Sequence, residues 1–363
     1  MHIIAKKLIK WYDLNKRDLP WRRTTDPYKI WVSEIILQQT RVDQGMQYYY
    51  RFIERFPDVN SLAAAEEQEV LKLWQGLGYY SRARNMHRAA KTIAEKYNGR
   101  FPEKYREVLS LKGIGEYTAG AIASFAFGKQ YPAVDGNVMR VLSRLFEIKD
   151  KINTSAGKKK IKAVAESIIS DEDPGKFNQA LIEFGALHCL PKKPLCQECP
   201  LQENCMAFAN NTVGQLPAKK PKKKPRDRYL NYLVIHNKSN AEVYLRKRKN
   251  SSDIWQNLYD FPLIESEKPL SAEELLDTDE WSRMIGQDYT LLKSNPVKKK
   301  HQLSHQTLHA HFWEIEMKKN IDFDKGKDFI KDIAENLHEY PFPRLIDAYL
   351  KENVEAYDKN YES

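Results

Sequence analysis

Residues 216–228, LPAKKPKKKPRDR, divide this chain, because three prolines, five lysines and two arginines in thirteen positions cannot enter a hydrophobic core. The stretch reads as a linker, whether a solvated tether, an electrostatic contact to phosphates, or both. What flanks it must therefore fold as separate bodies, and 363 residues suffice for two domains of about 150 residues each. Before the linker, WVSEIILQQTRVDQG, VLKLWQGLGYYSRARNMHRAAKTIAEKY, YREVLSL, YTAGAIASFAFG and NVMRVLSRLFEI repeat apolar residues at intervals of three and four, the helical period. Beyond it NYLVIHN, AEVYLRKR, LYDFPLIE and QLSHQTLHAHFWEIEM alternate as strands do, with SAEELLDTDEWSRM and PRLIDAYLKEN as covering helices. The expected architecture is multidomain α and α+β: a helical domain over 1–215, the linker, and an α+β domain over 229–363.

All four cysteines fall in CLPKKPLCQECPLQENC, as Cys189, Cys196, Cys199 and Cys205. A secreted disulfide framework would spread its cysteines, whereas four thiols this close suggest one metal centre, either tetrahedral zinc or a four-iron four-sulfur cluster. No run of about 18 apolar residues exists, and Lys6, Lys7 and Lys10 interrupt the start where a signal peptide needs an apolar stretch. The chain is thus expected to have no membrane partner and to be cytoplasmic, nucleoid-associated if bacterial. A net charge of +10 favours a polyanionic partner such as nucleic acid, or reflects only a basic surface.

Three segments carry candidate chemistry. LKGIGEYTAGAIASF is a helix end, a turn with Gly113 and Gly115, and a second helix. Such a turn leaves backbone N–H groups free for a phosphate, or simply joins two helices. In AVDGNVMRVL, Asp135 is an N-cap for the helix beginning near Asn137, or a carboxylate offered to a bound ligand. In WVSEIILQQTRV, Glu34 shares a helix face with Ile30, Trp31, Leu37 and Gln38. Desolvation there would raise its pKa, as a general acid near neutrality requires, unless Arg22, Arg23 or Arg41 pairs with it.

The LKGIG hairpin, the VDGN loop and the C-x6-C-x2-C-x5-C tail, in that order, resemble the helix-hairpin-helix DNA glycosylases of the endonuclease III superfamily. LPW at 19–21, SEIILQQTRV at 33–42, LWQGLGYYSRARN at 73–85 and VDGNVMRVL at 134–142 resemble the MutY branch within it, the adenine DNA glycosylases. Where the bifunctional branch carries a Schiff-base lysine, this chain has Tyr117, so the resemblance implies base removal without strand cleavage.

DIWQNLYDFPLIE resembles the MutT-like, Nudix-related C-terminal domain of that branch, yet no G-x5-E-x7-R-E-x2-E-E-x-G signature occurs between 229 and 363. The resemblance therefore implies a domain that recognises 8-oxoguanine and hydrolyses nothing. Ser304 and His305 stand where that branch has a Phe-Ser-His loop, with Leu303 replacing the phenylalanine. Alternation puts Leu303, His305, Thr307, His309 and His311 on one strand face, where exposed histidines are commoner than a metal site.

The resemblance also implies a [4Fe-4S] cluster on the four cysteines, and a monomer acting on double-stranded DNA that carries adenine opposite 8-oxoguanine. It makes Glu34 the acid, Asp135 the carboxylate facing the sugar, and Tyr117 and Asn137 their orienting neighbours. Leu37, Gln39 and Tyr79 would wedge into the base stack with Gln38 beside them, and Arg22 and Gln179 would line the adenine pocket. Tyr79 also fits as a core aromatic after the Gly76 to Gly78 turn. The two carboxylates should separate in pKa, Glu34 raised and Asp135 held ionised by helix N-terminal amides and Asn137. A bifunctional pyrimidine glycosylase and a catalytically silent zinc-ribbon DNA-binding protein are the rival readings.

Overall fold

In the computed structural model, residues 1–221, 224–237, 242–318 and 329–354 are described. They divide into two compact units, Met1–Ala65 with Asn85–Pro221, and Glu66–Arg84 with Lys222–Ser363.

The first unit is helical. Its core joins Ile3–Asn15, Gly136–Leu145, Ser155–Ile168 and Pro174–Leu187 through Leu8, Tyr12, Leu142, Ile161, Phe177 and Phe184, all buried. Helix Pro27–Ile36 begins on Asp26, whose carboxylate accepts from the Tyr28 amide at 2.9 Å, with Pro27 in the first turn. Seven consecutive residues from Ile30 to Ile36 are buried, so this helix is enclosed rather than one-sided.

Among the described residues the second unit is built on an eight-stranded sheet: β1 (Arg226–Asn237), β2 (Glu242–Lys247), β3 (Tyr259–Asp260), β4 (Leu263–Ser266), β5 (Tyr289–Leu291), β6 (Val297–Gln302), β7 (Gln306–Met317) and β8 (Phe329–Ile333). The strand order β3-β2-β1-β7-β5 has β1 and β7 parallel, with β4 on β1, β6 on β7 and β8 on β2. One face carries Leu230, Tyr232, Leu308 and Phe312 under helix Arg344–Asn353. The other carries Leu233, Ile315 and Trp313 under Ala272–Leu276 and Asp279–Met284.

Three expectations are corrected. The linker is not wholly free: Leu216 is buried, the Ala218 carbonyl accepts from the Ile152 amide at 3.0 Å, and β1 already begins at Arg226. A single cut near 215–229 also misassigns Glu66–Arg84, which clusters with the second unit. The expected Gly76 to Gly78 turn follows helix Glu67–Leu73, with Gly76 (φ 96°), Gly78 (φ 71°) and Tyr79 (φ 49°) left-handed. Finally, Leu303 and His305 are not strand residues: β7 starts at Gln306, Leu303 packs against the sheet core, and the Leu303 amide donates to the Gln306 carbonyl at 2.8 Å. Of the strand histidines, His309 stacks on Tyr229 and lies 2.8 Å from an Asp227 carboxylate oxygen.

Candidate active site

A cleft of about 900 Å3 opens in the first unit. Arg22, Glu34, Leu37, Gln38, Gln39, Gly115, Tyr117, Asp135, Asn137 and Gln179 all line it, although the sequence spreads them over more than 150 positions. Cavities of this size suit a small organic group held by a few convergent polar side chains. Gly113 (φ 82°) sits at the hairpin apex outside the lining, where an added Cβ would come within 2.6 Å of Asn85 Cβ. Tyr79, Ser304 and His305 belong to the second unit.

Glu34 is 8 % exposed, and its Oε2 accepts the Tyr117 hydroxyl at 2.6 Å. Burial is the main influence on its pKa. The Tyr117 hydrogen bond and Arg22 lower it and Asp135 raises it, and the balance stands at about 7. Two of the alternative partners are engaged elsewhere, because Arg22 bonds Glu183 and Arg23 bonds Asp18. Tyr117 lies in the first turn of helix Glu116–Phe125, where Gly115 as N-cap sets its direction.

Asp135 is both an N-cap and a cleft residue. Its Oδ1 accepts from the Val138 amide and its Oδ2 from Asn137 Nδ2, each at 2.8 Å, and Asn137 Oδ1 accepts in turn from Arg140 at 2.9 Å. These bonds were expected to hold the carboxyl low. Burial outweighs them, and its pKa is raised above the ordinary value. Both carboxyls are thus lifted, Glu34 to about 7.

Several residues of the site escape a sequence reading. Glu183, fully buried, takes two bonds from Arg22 (2.9 and 2.8 Å) and two from the Arg17 side chain (2.9 and 2.6 Å). Burial pushes its pKa up, but the bonds from Arg17 and Arg22 prevail and hold it at about 2. It lies four residues after Gln179 on helix Pro174–Leu187, and that helical spacing was the available signal. Tyr12 donates to Gln179 Oε1 at 2.6 Å. Gly185 leaves room for Asn137, since a Cβ there would lie 2.6 Å from Asn137 Cβ.

The four cysteines are free and line one cavity together with Val141, Arg144 and His188. Helix Gly136–Leu145, capped by Asp135, carries the arginines that hold their loop. Arg140 Nε donates to the Cys189 carbonyl at 2.8 Å, and Arg144 Nη1 donates to the Leu190 carbonyl at 2.7 Å and lies 3.4 Å from Cys189 Sγ. Among the described residues no group of three His, Cys, Asp or Glu side chains is arranged to hold a metal ion. No described helix is long and apolar enough to cross a membrane.

Residues 32–170 match the HhH-GPD superfamily base excision DNA repair protein family, and residues 231–352 match the NUDIX domain family. The adenine DNA glycosylase of Buchnera aphidicola subsp. Baizongia pistaciae is 38 % identical over 331 residues, 90 % of each chain. That of Homo sapiens is 42 % identical over 220 residues, 58 % of this chain and 40 % of the human one. Among solved structures, a thermostable thymine-DNA glycosylase aligns with a TM-score of 0.53 at 29 % identity, covering 57 % of this chain and 96 % of that one. A non-covalent endonuclease III–DNA complex aligns at 0.50 and 24 % identity over 57 % of this chain and 94 % of that one, a likeness of fold. With the cleft, the hairpin and the two domain matches in one chain, and a relative alike over nine-tenths of its length, this protein belongs to the adenine DNA glycosylases of base excision repair.

Proposed function

We propose that this glycosylase removes adenine standing opposite 8-oxoguanine, or opposite guanine, in double-stranded DNA, by hydrolysis of the N-glycosidic bond. The observation that carries the reading is the buried Glu34–Tyr117 pair beside Asp135 in one cleft, with the Glu34 carboxyl at about 7. An adenine inside a duplex must first leave the stack, at a cost of a few kcal/mol. Tyr79, an aromatic ring 48 % exposed, and Gln39, at φ 58°, are suited to fill the space it vacates. Arg22, held by Glu183, and Gln179, held by Tyr12, offer polar edges to the extruded base.

Glu34 then donates its proton to adenine as the C1′–N9 bond breaks, and the bonding electrons leave with the base. The sugar becomes oxocarbenium-like, and Asp135, fixed by Val138 and Asn137, provides the negative charge facing it. Water supplies the new oxygen at C1′, and the proton it loses replaces the one that Glu34 gave to adenine. Tyr117 has no amine, so no Schiff base forms and the strand stays intact. In the second unit, Ser304 and His305 are exposed on the β6–β7 hairpin, with Ser304 Oγ 3.2 Å from His305 Nδ1, and so are available to read the opposite base. That unit lacks the Nudix metal-binding signature, which supports recognition without hydrolysis.

The cysteine cavity suits a [4Fe-4S] cluster: four soft thiol donors surround it from one loop, and a cluster brings its own atoms to fill it. Cys189, Cys196, Cys199 and Cys205 would hold it. Bound there, it would tie down the loop that carries Lys192 and Lys193, two candidate phosphate contacts.

Single-turnover reactions on duplexes with adenine opposite 8-oxoguanine, guanine or thymine test the proposal. Free adenine should be released fastest opposite 8-oxoguanine, about ten- to a hundredfold faster than opposite guanine if one base-edge contact is at stake. The abasic strand should stay unbroken, with no borohydride-trapped adduct. Equal rates opposite 8-oxoguanine and guanine would overturn the specificity, and efficient trapping would overturn the monofunctional mechanism.

A further inference from the structure

Tyr79 is an aromatic residue with a left-handed backbone and a ring left half in solvent, a conformation with a cost that something must hold in place. Its own turn provides part of the grip. The Gly78 carbonyl accepts from Trp74 Nε1 at 3.2 Å and from Arg82 Nη2 at 3.0 Å, and the Arg82 guanidinium lies over both the Trp74 and Tyr79 rings.

The rest of the grip comes from the far end of the chain. The buried peptide unit of Phe342 is held on both sides: its N–H donates to Gln75 Oε1 at 3.2 Å, and its carbonyl accepts the Tyr80 hydroxyl at 2.9 Å. Gln75 Nε2 donates to Asp347 Oδ1 at 2.7 Å, and Lys72 Nζ donates to the Tyr340 carbonyl at 3.1 Å. Gln75 and Tyr80 are 7 % and 4 % exposed, so these bonds are sheltered from competing water. Phe342 leads into helix Arg344–Asn353, which covers the same sheet face as Leu308 and Phe312 of β7. That strand begins one residue after His305. An unbroken path of packed, hydrogen-bonded residues therefore joins the Ser304–His305 hairpin to Tyr79, about 225 positions away in sequence.

We propose that Gln75 and Tyr80 are positioning residues through which the C-terminal domain holds Tyr79 for entry into the DNA stack, so that the reader of the opposite base and the wedge are parts of one body. The inference rests on the functional reading above in taking Tyr79 as the wedge, and adds that the second unit sets its position. Truncating the C-terminal domain would then remove a specificity reader and also strip the support from an element encoded before residue 85.

The test uses the full chain and duplexes carrying 2-aminopurine, whose fluorescence rises when it unstacks, in place of the target adenine opposite 8-oxoguanine or guanine. Tyr80→Phe keeps the ring and loses only the hydroxyl, and Gln75→Met keeps the volume and loses the side-chain hydrogen bonds. Each should slow unstacking about five- to tenfold in the Tyr79 protein, the effect of one buried hydrogen bond, and by less than about twofold in a Tyr79→Ala background. An equal loss in both backgrounds marks a general structural effect and overturns the proposal, as does no loss in either. Unchanged unstacking in Tyr79→Ala alone would remove the wedge and the inference with it. If Gln75→Met fails to fold, Tyr80→Phe alone completes the cycle. A wild type that unstacks both duplexes but shows no preference between them refutes the 8-oxoguanine reading while still scoring the anchor.

Discussion

Glu34→Gln is expected to bind lesion-containing duplex within about tenfold of wild type, because phosphate contacts dominate affinity and a buried carboxyl makes none. Adenine release should fall by at least about a hundred- to ten-thousandfold, the usual worth of a positioned proton donor. The amide keeps the shape and still accepts from the Tyr117 hydroxyl, now 2.6 Å from Glu34 Oε2, so the loss would report the proton rather than the fold. Single-turnover rates with saturating enzyme separate chemistry from binding. Stability supplies a control of opposite sign. Glu34 keeps its proton in the folded state up to about 7 and loses it near 4.5 when unfolded. Wild type therefore loses stability as pH rises through that window, and the glutamine variant does not. The melting temperature of Glu34→Gln relative to wild type should thus climb between pH 5 and pH 8, while its activity stays negligible.

Glu183→Ala should be the most damaging change to the fold of the first unit. Glu183 is fully buried and is met by the Arg17 and Arg22 guanidinium groups at 2.6 and 2.8 Å, and Arg22 is itself only 12 % exposed at its side chain. Removing one partner of a buried ion pair leaves charge with no compensation and costs about 3–5 kcal/mol. For a domain of this size that lowers the melting temperature by roughly 10 °C. Adenine release should drop as well, since Arg22, which Glu183 holds, lines the cleft. Differential scanning calorimetry on the full chain checks the first effect. A shift below about 3 °C would show that Arg17 and Arg22 find other partners.

Much of the site was legible because helical spacing is local. The apolar stripe around Glu34, the glycines before Tyr117 and the acidic N-cap at Asp135 are each visible within ten residues of sequence. What could not be read depends on partners distant in the chain. The spacing of Glu183 from Gln179 shows which helix face it shares, but only the folded arrangement brings Arg17 and Arg22 to it. The raised pKa of Asp135 has a related origin: capping bonds show in sequence, whereas depth of burial depends on the surrounding packing. β6 is VKKKHQ, whose lysines conceal a strand that owes its register to β7, and β7 in turn pairs in parallel with β1 some 80 residues earlier. The segment Glu66–Arg84 has ordinary helical periodicity, and periodicity does not say which body its apolar face will meet.

The measurement that bears most directly on the central claim is the pH dependence of single-turnover adenine release by the wild-type chain. A general acid works only while it holds its proton, and Glu34 holds it up to about 7. The rate should therefore fall about tenfold for each pH unit above that value, with no such inflection in the residual rate of Glu34→Gln. A wild-type rate that stays constant or rises from pH 6 to pH 9 would contradict the assignment of Glu34 as the proton donor.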